Sequence, residues 1–293
     1  MSTNPIVAAI DGYPTNSFSD YWALAKPEVN FLIGVTAASA FTLGSPAAGS
    51  HFSWLPLVST VVGTLLVAGG AGVLNQWLEH RFDAKMRRTA RRPIAAGRVQ
   101  PGRALSFGAI LSVTGVLYLA LALPPATSVL ALLTLGWYLL LYTPLKRRTH
   151  FCTLVGVFPG AMPVLIGYVA AAGKLDTRAW LLYAILLLWQ FPHFMAIAWM
   201  YREDYDRAGY LILPKGDQRF AFVTWQTVLP LVILTPLTLF VAPAAAAIPL
   251  SLGFLYYGAR FASRRSSADA RKLLFASIVY LPVLFGVAVL VRM

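Results

Sequence analysis

Residues 54–74 read WLPLVSTVVGTLLVAGGAGVL, with no charged side chain, and similar runs recur along most of the chain. A helix built from such a run has no polar face to turn toward water, so lipid is its natural surrounding. Nine segments of this kind lie near 28–45, 54–77, 104–123, 126–145, 151–172, 178–200, 221–241, 243–261 and 271–291. Each approaches the roughly 20 residues a helix needs to cross about 30 Å of hydrocarbon. The expected fold is therefore all-α: a polytopic membrane bundle of nine transmembrane helices. Residues 26–293 would form one domain and residues 1–25 a cytoplasmic tail. Prolines and glycines inside the spans do not forbid them, because neighbouring helices can satisfy freed backbone groups.

The connecting segments fix an expected orientation. Lys and Arg number 24 against 11 acids, a net charge of +13. That excess could suggest nucleic acid, but the bases occupy alternate loops, so no nucleic-acid partner is expected. With the N-terminus inside, 21 bases fall on the inner side and 3 on the outer. Such an asymmetry is what the positive-inside rule describes, and it supports an odd number of spans. Residues 1–25 hold Asp11 and Asp20 but no Lys or Arg, unlike a secretory signal or a mitochondrial presequence. The first helix is expected to direct insertion, which suits a bacterial inner membrane. The single cysteine, Cys152, excludes an intrachain disulfide and a thiolate cluster and reads as a small buried side chain.

Charge bias alone does not account for acids on the basic side. The second span runs into NQWLEHRFDAKMRRTARRP, Asn75 to Pro93. If the helix continues, Asn75, Glu79 and Asp83 stand at i, i+4 and i+8 on one face. Like charges so placed near apolar surroundings are costly unless a cation joins them. Their oxygens suit Mg2+, with water and a substrate phosphate completing the shell. Arg88 and Arg92, also four apart, offer paired donors to phosphate oxygens. An ordinary helix-end pairing of Glu79 or Asp83 with Arg81 or Lys85 is the plainer alternative. Arg98 and Arg103 read as solvated topology markers.

The later inner loops add candidates. Lys146 and Arg147, in LYTPLKRRTH, could grip the far side of a diphosphate or simply anchor a helix. Glu203, Asp204 and Asp206 follow the sixth span, and Asp204 is the favoured further metal ligand. His193 lies within that span behind Pro192, where an ionisable group is a functional candidate by default. Its plainer reading is a packed, neutral, hydrogen-bonded ring.

Four stretches carry a resemblance: Asn75 to Pro93, YTPLKRRT from Tyr142, GVFPGAMPVLIGY from Gly156, and WQFPHF…EDYDRAG…LP from Trp189 to Pro214. Together they resemble the UbiA superfamily of intramembrane prenyltransferases, and within it the haem-farnesylating branch. That resemblance implies transfer of a farnesyl group from farnesyl diphosphate to the 2-vinyl group of haem b, with addition of water, giving haem O and diphosphate. It implies Mg2+ dependence, contact with membrane lipids, and haem A synthase or terminal-oxidase assembly proteins as possible partners. By position, Asn75, Glu79 and Asp83 match the first metal motif, where the middle residue is usually aspartate. Arg88 and Arg92 match basic positions of that motif. Lys146 and Arg147 match the second-loop bases, and Asp204 falls in the second acidic region. That region often carries aspartates four apart, whereas EDYD does not. Two rivals remain: a related enzyme acting on a quinone precursor or chlorophyllide, and an ion-coupled secondary transporter. The transporter would require inverted repeats and midplane charges.

Overall fold

The computed structural model describes residues 18–46 and 52–292, and all regular structure among them is helical. A short helix α1 (Phe18–Leu24) leads into α2 (Pro27–Gly44). Then follow α3 (Trp54–Asp83), α4 (Pro101–Ala122), α5 (Pro125–Leu145), α6 (Cys152–Ala172) and α7 (Thr177–Met200). A two-turn helix α8 (Arg202–Ala208) precedes α9 (Gln218–Leu237), α10 (Ala244–Arg264) and α11 (Ser267–Arg292). Prolines 27, 101 and 125 begin α2, α4 and α5, where a missing N–H costs nothing. Asp176 caps α7 by accepting the N–H groups of Arg178 and Ala179.

The expected nine spans are corrected to seven. Only α3, α4, α5, α6, α7, α9 with its 3-10 extension, and α11 are long and apolar enough, among the described residues, to cross a membrane. The other two expected spans, α2 and α10, are helices of 18 and 21 residues with more polar sequences. Glu28 and Asn30 dilute the first turns of α2. In α10, Arg260 and Arg264 follow two tyrosines, and the buried residues Ser251, Phe254, Gly258 and Phe261 form a single face. Of the expected tail, residues 1–17 lie outside the described residues. Residues 18–24 are α1, whose Leu24 is fully buried and whose Asp20 meets Arg98 at 2.9 Å.

Close backbone approach holds the bundle together. An added Cβ on Gly167 of α6 would strike the Ala37 carbonyl of α2, and one on Gly115 of α4 would meet the Val67 backbone of α3. Small residues at helix crossings provide dispersion contact where lipid offers no hydrophobic contrast. The outward faces are as apolar as the interior: Ile110, Leu117 and Leu121 on α4 and Leu132 and Leu140 on α5 are exposed. Leu119, Leu165, Ile185 and Met195 fill the inside.

Two departures from regular helix position the site. α3 has 30 residues. At 1.5 Å per residue it is about 45 Å long, so it outreaches the roughly 30 Å hydrocarbon layer. The excess carries Asn75, Glu79 and Asp83 beyond the apolar run. α5 contains a π-helical turn, Trp137–Tyr142, just before Pro144. Proline removes one N–H and crowds the preceding turn, and a wider turn relieves both. Gly167→Leu should lower the thermal unfolding midpoint of the purified protein in detergent. The expected overpacking cost is about 1–3 kcal/mol. An unchanged midpoint would show that the α2–α6 crossing can yield.

Candidate active site

The overhanging end of α3 and the end of α5 face each other across a small cavity. It encloses about 150 Å3. A water molecule occupies roughly 30 Å3 of liquid, so a few waters or a compact anion fit, and a porphyrin does not. Asn75, Glu79, Asp83, Arg88, Arg92 and Lys146 all line it. The structure thus gathers six of the nine candidates read from sequence around one space.

Its electrostatics follow from burial. Glu79 and Asp83 are 6 % and 1 % exposed. Two carboxylates one turn apart in such surroundings need cations close by. Lys146 reaches both Glu79 oxygens at 2.9 Å, and Arg92 Nη1 donates to Asp83 Oδ2 at 2.7 Å. Asn75 donates its amide to Glu79 at 2.9 Å and to Thr143 Oγ1 at 3.1 Å, tying α3 to α5. Thr143 in turn donates to the Tyr138 carbonyl at 2.9 Å across the π-helical turn. That turn brings Tyr138, Tyr142 and Lys146 to one wall, with the Lys146 ammonium 4.8 Å from the Tyr142 ring centre. Burial disfavours the Lys146 ammonium, but the Glu79 carboxylate outweighs it and holds its pKa well above the usual lysine value.

The loop from Ala84 to Gln100 supplies the opposite wall. It folds into successive turns, with Thr89 Oγ1 donating to the Asp83 carbonyl at 2.9 Å. Arg88 stacks over Tyr201 with its guanidinium 4.8 Å from the ring centre. Asp204 sets this arrangement from outside the lining. Its carboxylate accepts the Arg88 N–H at 3.1 Å and Arg207 Nη1 at 3.0 Å. Burial alone would raise its pKa, but the N–H groups of Arg88 and Arg87 and the Arg207 charge hold it below the usual range. Arg147 also lies outside the lining, its guanidinium 4.5 Å from the Phe82 ring centre. His193 stands apart: its Nδ1 is 2.8 Å from Ser277 Oγ and its ring stacks on Trp189 with centroids 4.7 Å apart.

Several lining residues escaped the sequence reading. Lys26 counted there only as a topology base. Here it lines the cavity from the α1–α2 junction with φ of 53°, a left-handed conformation rare outside glycine. Gln76 Nε2 donates to the Leu24 carbonyl and Asn30 Nδ2 to that of Ala25, both at 2.7 Å, which pins this bend. Burial, then Arg92 and Lys146, lowers the Lys26 pKa to about 7, against Glu79 and Asp83. The unusual KP dipeptide after α1 was its one sequence signal. Tyr205 and Tyr210, from α8 and the segment after it, also line the cavity; both lie in the stretch from Trp189 to Pro214, where only the acids and His193 were singled out. The buried Tyr210 hydroxyl makes no hydrogen bond of good geometry among the described residues.

The donor set accommodates a hard cation only with help. No cluster of three His, Cys, Asp or Glu capable of holding a metal occurs among the described residues. The cavity offers two carboxylates and an amide oxygen. Among the described residues, the side-chain hydrogen bonds of Asn75 and Asp83 run through Asn75 Nδ2 and Asp83 Oδ2, which leaves Asn75 Oδ1 and Asp83 Oδ1 for a ligand. Mg2+ binds such oxygens while keeping waters and phosphate oxygens in its shell. The residues therefore fit Mg2+ held jointly with an anionic ligand.

Comparison with known proteins places this geometry. The sequence profile of the UbiA prenyltransferase family matches residues 34–279. The protoheme IX farnesyltransferase of Solibacter usitatus (strain Ellin6076) is 43 % identical over 289 residues, covering 93 % of this chain and 98 % of that protein. A digeranylgeranylglyceryl phosphate synthase structure superposes with a TM-score of 0.73 at 17 % identity, covering 93 % of this chain and 97 % of that one. A UbiA homologue from Archaeoglobus fulgidus bound to GPP and Mg2+ superposes with a TM-score of 0.62 at 12 % identity, covering 92 % and 99 %.

The Glu79–Lys146 pair gives a test independent of activity. Lys146→Met leaves Glu79 buried without its cation and should destabilise the protein by about 3–5 kcal/mol. Adding Glu79→Gln should recover part of that loss, through a coupling of about 1–3 kcal/mol in a double-mutant cycle followed by thermal unfolding. Strict additivity would show that the pair does not interact as described.

Proposed function

The chain belongs to the UbiA prenyltransferase family, and we propose that it transfers the farnesyl group of farnesyl diphosphate to the 2-vinyl group of haem b. Water is added in the same reaction, and the products are haem O and diphosphate. The observation that carries the reading is the cavity: four cations, Lys26, Arg88, Arg92 and Lys146, surround two acids and an amide in a space the size of a small anion. The substrate pair follows the haem-farnesylating relative.

In this reading the diphosphate enters the cavity and takes Lys146 and Arg92 as partners. Glu79 and Asp83, relieved of those cations, together with Asn75 would hold Mg2+. Bound there, Mg2+ would supply Lewis-acid stabilisation of the negative charge on diphosphate oxygens. Asp204 keeps Arg88 aimed at the cavity by holding the loop backbone, a positioning role rather than ligation. The C1–O bond of the farnesyl chain breaks and its electron pair leaves with the diphosphate. Preorganised cations favour this step because the charge develops where they already stand. The vinyl π electrons then form a bond to C1. A water oxygen bonds to the resulting cation beside the porphyrin and loses a proton. Once Lys146 has turned to the diphosphate, the Tyr142 face it leaves would suit the passing positive charge at C1. No protein nucleophile is required, and Cys152 stays buried.

The farnesyl chain and porphyrin exceed the cavity, so their apolar bodies would extend into the bundle or the surrounding lipid. The basic end of the bundle is proposed to face the cytoplasm, with the N-terminus on the same side, in a bacterial inner membrane. Haem A synthase or terminal-oxidase assembly proteins are the proposed recipients of the product. His193 stands away from the cavity lining, and a contact with the porphyrin body is the role left for it.

Purified protein supplied with haem b, farnesyl diphosphate and Mg2+ should yield a product heavier than haem b by one farnesyl group and one hydroxyl group, read by mass spectrometry. Haem b, 4-hydroxybenzoate and a chlorophyllide offered together should give prenylated haem only. Prenylation of another acceptor in its place would reject the haem assignment. Asp83→Asn should lower turnover about a hundredfold or more, the scale expected for removing transition-state charge stabilisation. Near-normal turnover would take Asp83 out of the site.

A further inference from the structure

A second pocket, of about 700 Å3, opens at the same end of the bundle, between the end of α7, the start of α9 and the α10–α11 turn. Arg202, Arg219, Arg264 and Arg265 line it, with Asp217 as the single lining acid. Trp199 and Phe220 supply an aromatic wall, their ring centroids 6.3 Å apart. Arg202 lies over Trp199 at 5.3 Å and Arg265 over Phe220 at 4.4 Å. Two further acids touch its margin without neutralising it. Glu203 is 3.9 Å from Arg202 and 76 % exposed, and Asp206 is 3.6 Å from Arg219 and 42 % exposed.

Backbone carbonyls aim the guanidinium groups. Arg219 Nε donates to Pro214 and Arg202 Nη1 to Trp199, each at 2.8 Å, while Arg265 Nε donates to Ala262 at 3.2 Å. Each guanidinium keeps further N–H groups for an acceptor, because arginine has five. Arg265 also adopts φ of 56°. Among the described residues it shares a positive φ outside glycine with Lys26 alone, and each is a cation lining a polar pocket at this end. Strained backbone of this kind persists where the surroundings require the side chain in that place.

The two pockets lie on either side of the α7–α8 junction. Tyr201 packs beneath Arg88 of the first, and the next residue, Arg202, lines the second. A ligand that reacts in one and is held in the other must have an anionic edge remote from its reactive group and a flat apolar body. Four arginines outnumber the one lining acid and the two acids at the margin, so the pocket keeps an excess of positive charge, and forked guanidinium donors suit carboxylates.

We infer that this pocket holds the two propionate carboxylates of the porphyrin acceptor, with Arg202, Arg219, Arg264 and Arg265 as donors and Trp199 and Phe220 against the macrocycle edge. This rests on haem b being the acceptor. The full-length enzyme is assayed in nanodiscs of phosphatidylcholine, as wild type, as Arg219→Gln, as the double variant Arg264→Gln/Arg265→Gln, and as Arg265→Gly. Each arginine variant should raise KM for haem b about tenfold or more, the scale of losing a charged hydrogen bond. KM for farnesyl diphosphate should stay within about twofold, since its cations lie in the other pocket. Haem b dimethyl ester should bind wild type as weakly as the variants bind haem b, with no further loss in the variants. Arg265→Gly should raise the unfolding midpoint by relieving the left-handed residue while still weakening haem, which a merely structural arginine would not do. Unchanged haem KM in the variants, or an ester effect that persists undiminished in them, would overturn the assignment. So would variants that alter only the response to added phosphatidylglycerol, which would mark a lipid headgroup site. A wild type that prenylates another acceptor and not haem b would instead overturn the functional reading beneath it.

Discussion

Glu79 and Asp83 sit one turn apart on α3, both buried, and that placement governs the rest of the basic end. In a medium of low effective dielectric, two neighbouring carboxylates cannot both stay charged without compensating cations. The fold provides them from separate elements: Lys146 from the end of α5 and Arg92 from the loop after α3. Delivering Lys146 requires the π-helical turn before Pro144, and delivering Arg92 requires the compact turns from Ala84 onward. The chain thus holds acids and bases in mutual balance, and that arrangement is easily redirected.

Elsewhere the constraint is lipid. Outward faces of α4 and α5 are leucine-rich and exposed, so hydrophobicity does not distinguish inside from outside there. Specific helix pairing falls to small residues such as Gly167 and Gly115, and to buried polar links such as Thr153 to Gln226 at 2.8 Å and Trp189 to the Ser277 carbonyl at 2.8 Å. A bundle fixed by close contacts offers a rigid frame for the charged end.

The first acid motif was legible because three oxygen-bearing side chains at four-residue spacing share a face on any helix, whatever it packs against. Arg88 and Arg92 could be named because they stand four apart directly after those acids, and Lys146 because it belongs to a second basic cluster on the same expected side. Asp204 was singled out as a further metal ligand, a task that its place in the fold does not suggest. Only the folded chain brings it to the backbone of Arg88, 116 positions away. Lys26 was invisible as a site residue for the same reason. Its neighbours in sequence are apolar, and the bend that turns it inward is pinned by Gln76, far along the chain. Counting spans by apolar length overstated the total, since α2 and α10 are long helices of mixed polarity whose buried stripes arise from packing.

The sequence by itself determined a helical membrane protein with one charged end, and it determined that one helix carries Asn75, Glu79 and Asp83 on a shared face. Those properties depend on local composition and on the period of the helix, which need no partner. The tertiary structure alone decided which cation meets which carboxylate, that Arg147 and His193 stand away from the cavity, and that four distant arginines form a second pocket. Most such pairings join residues far apart, as Lys146 and Glu79 are at 67 positions, and no local periodicity records which distant side chains a packed bundle brings within reach.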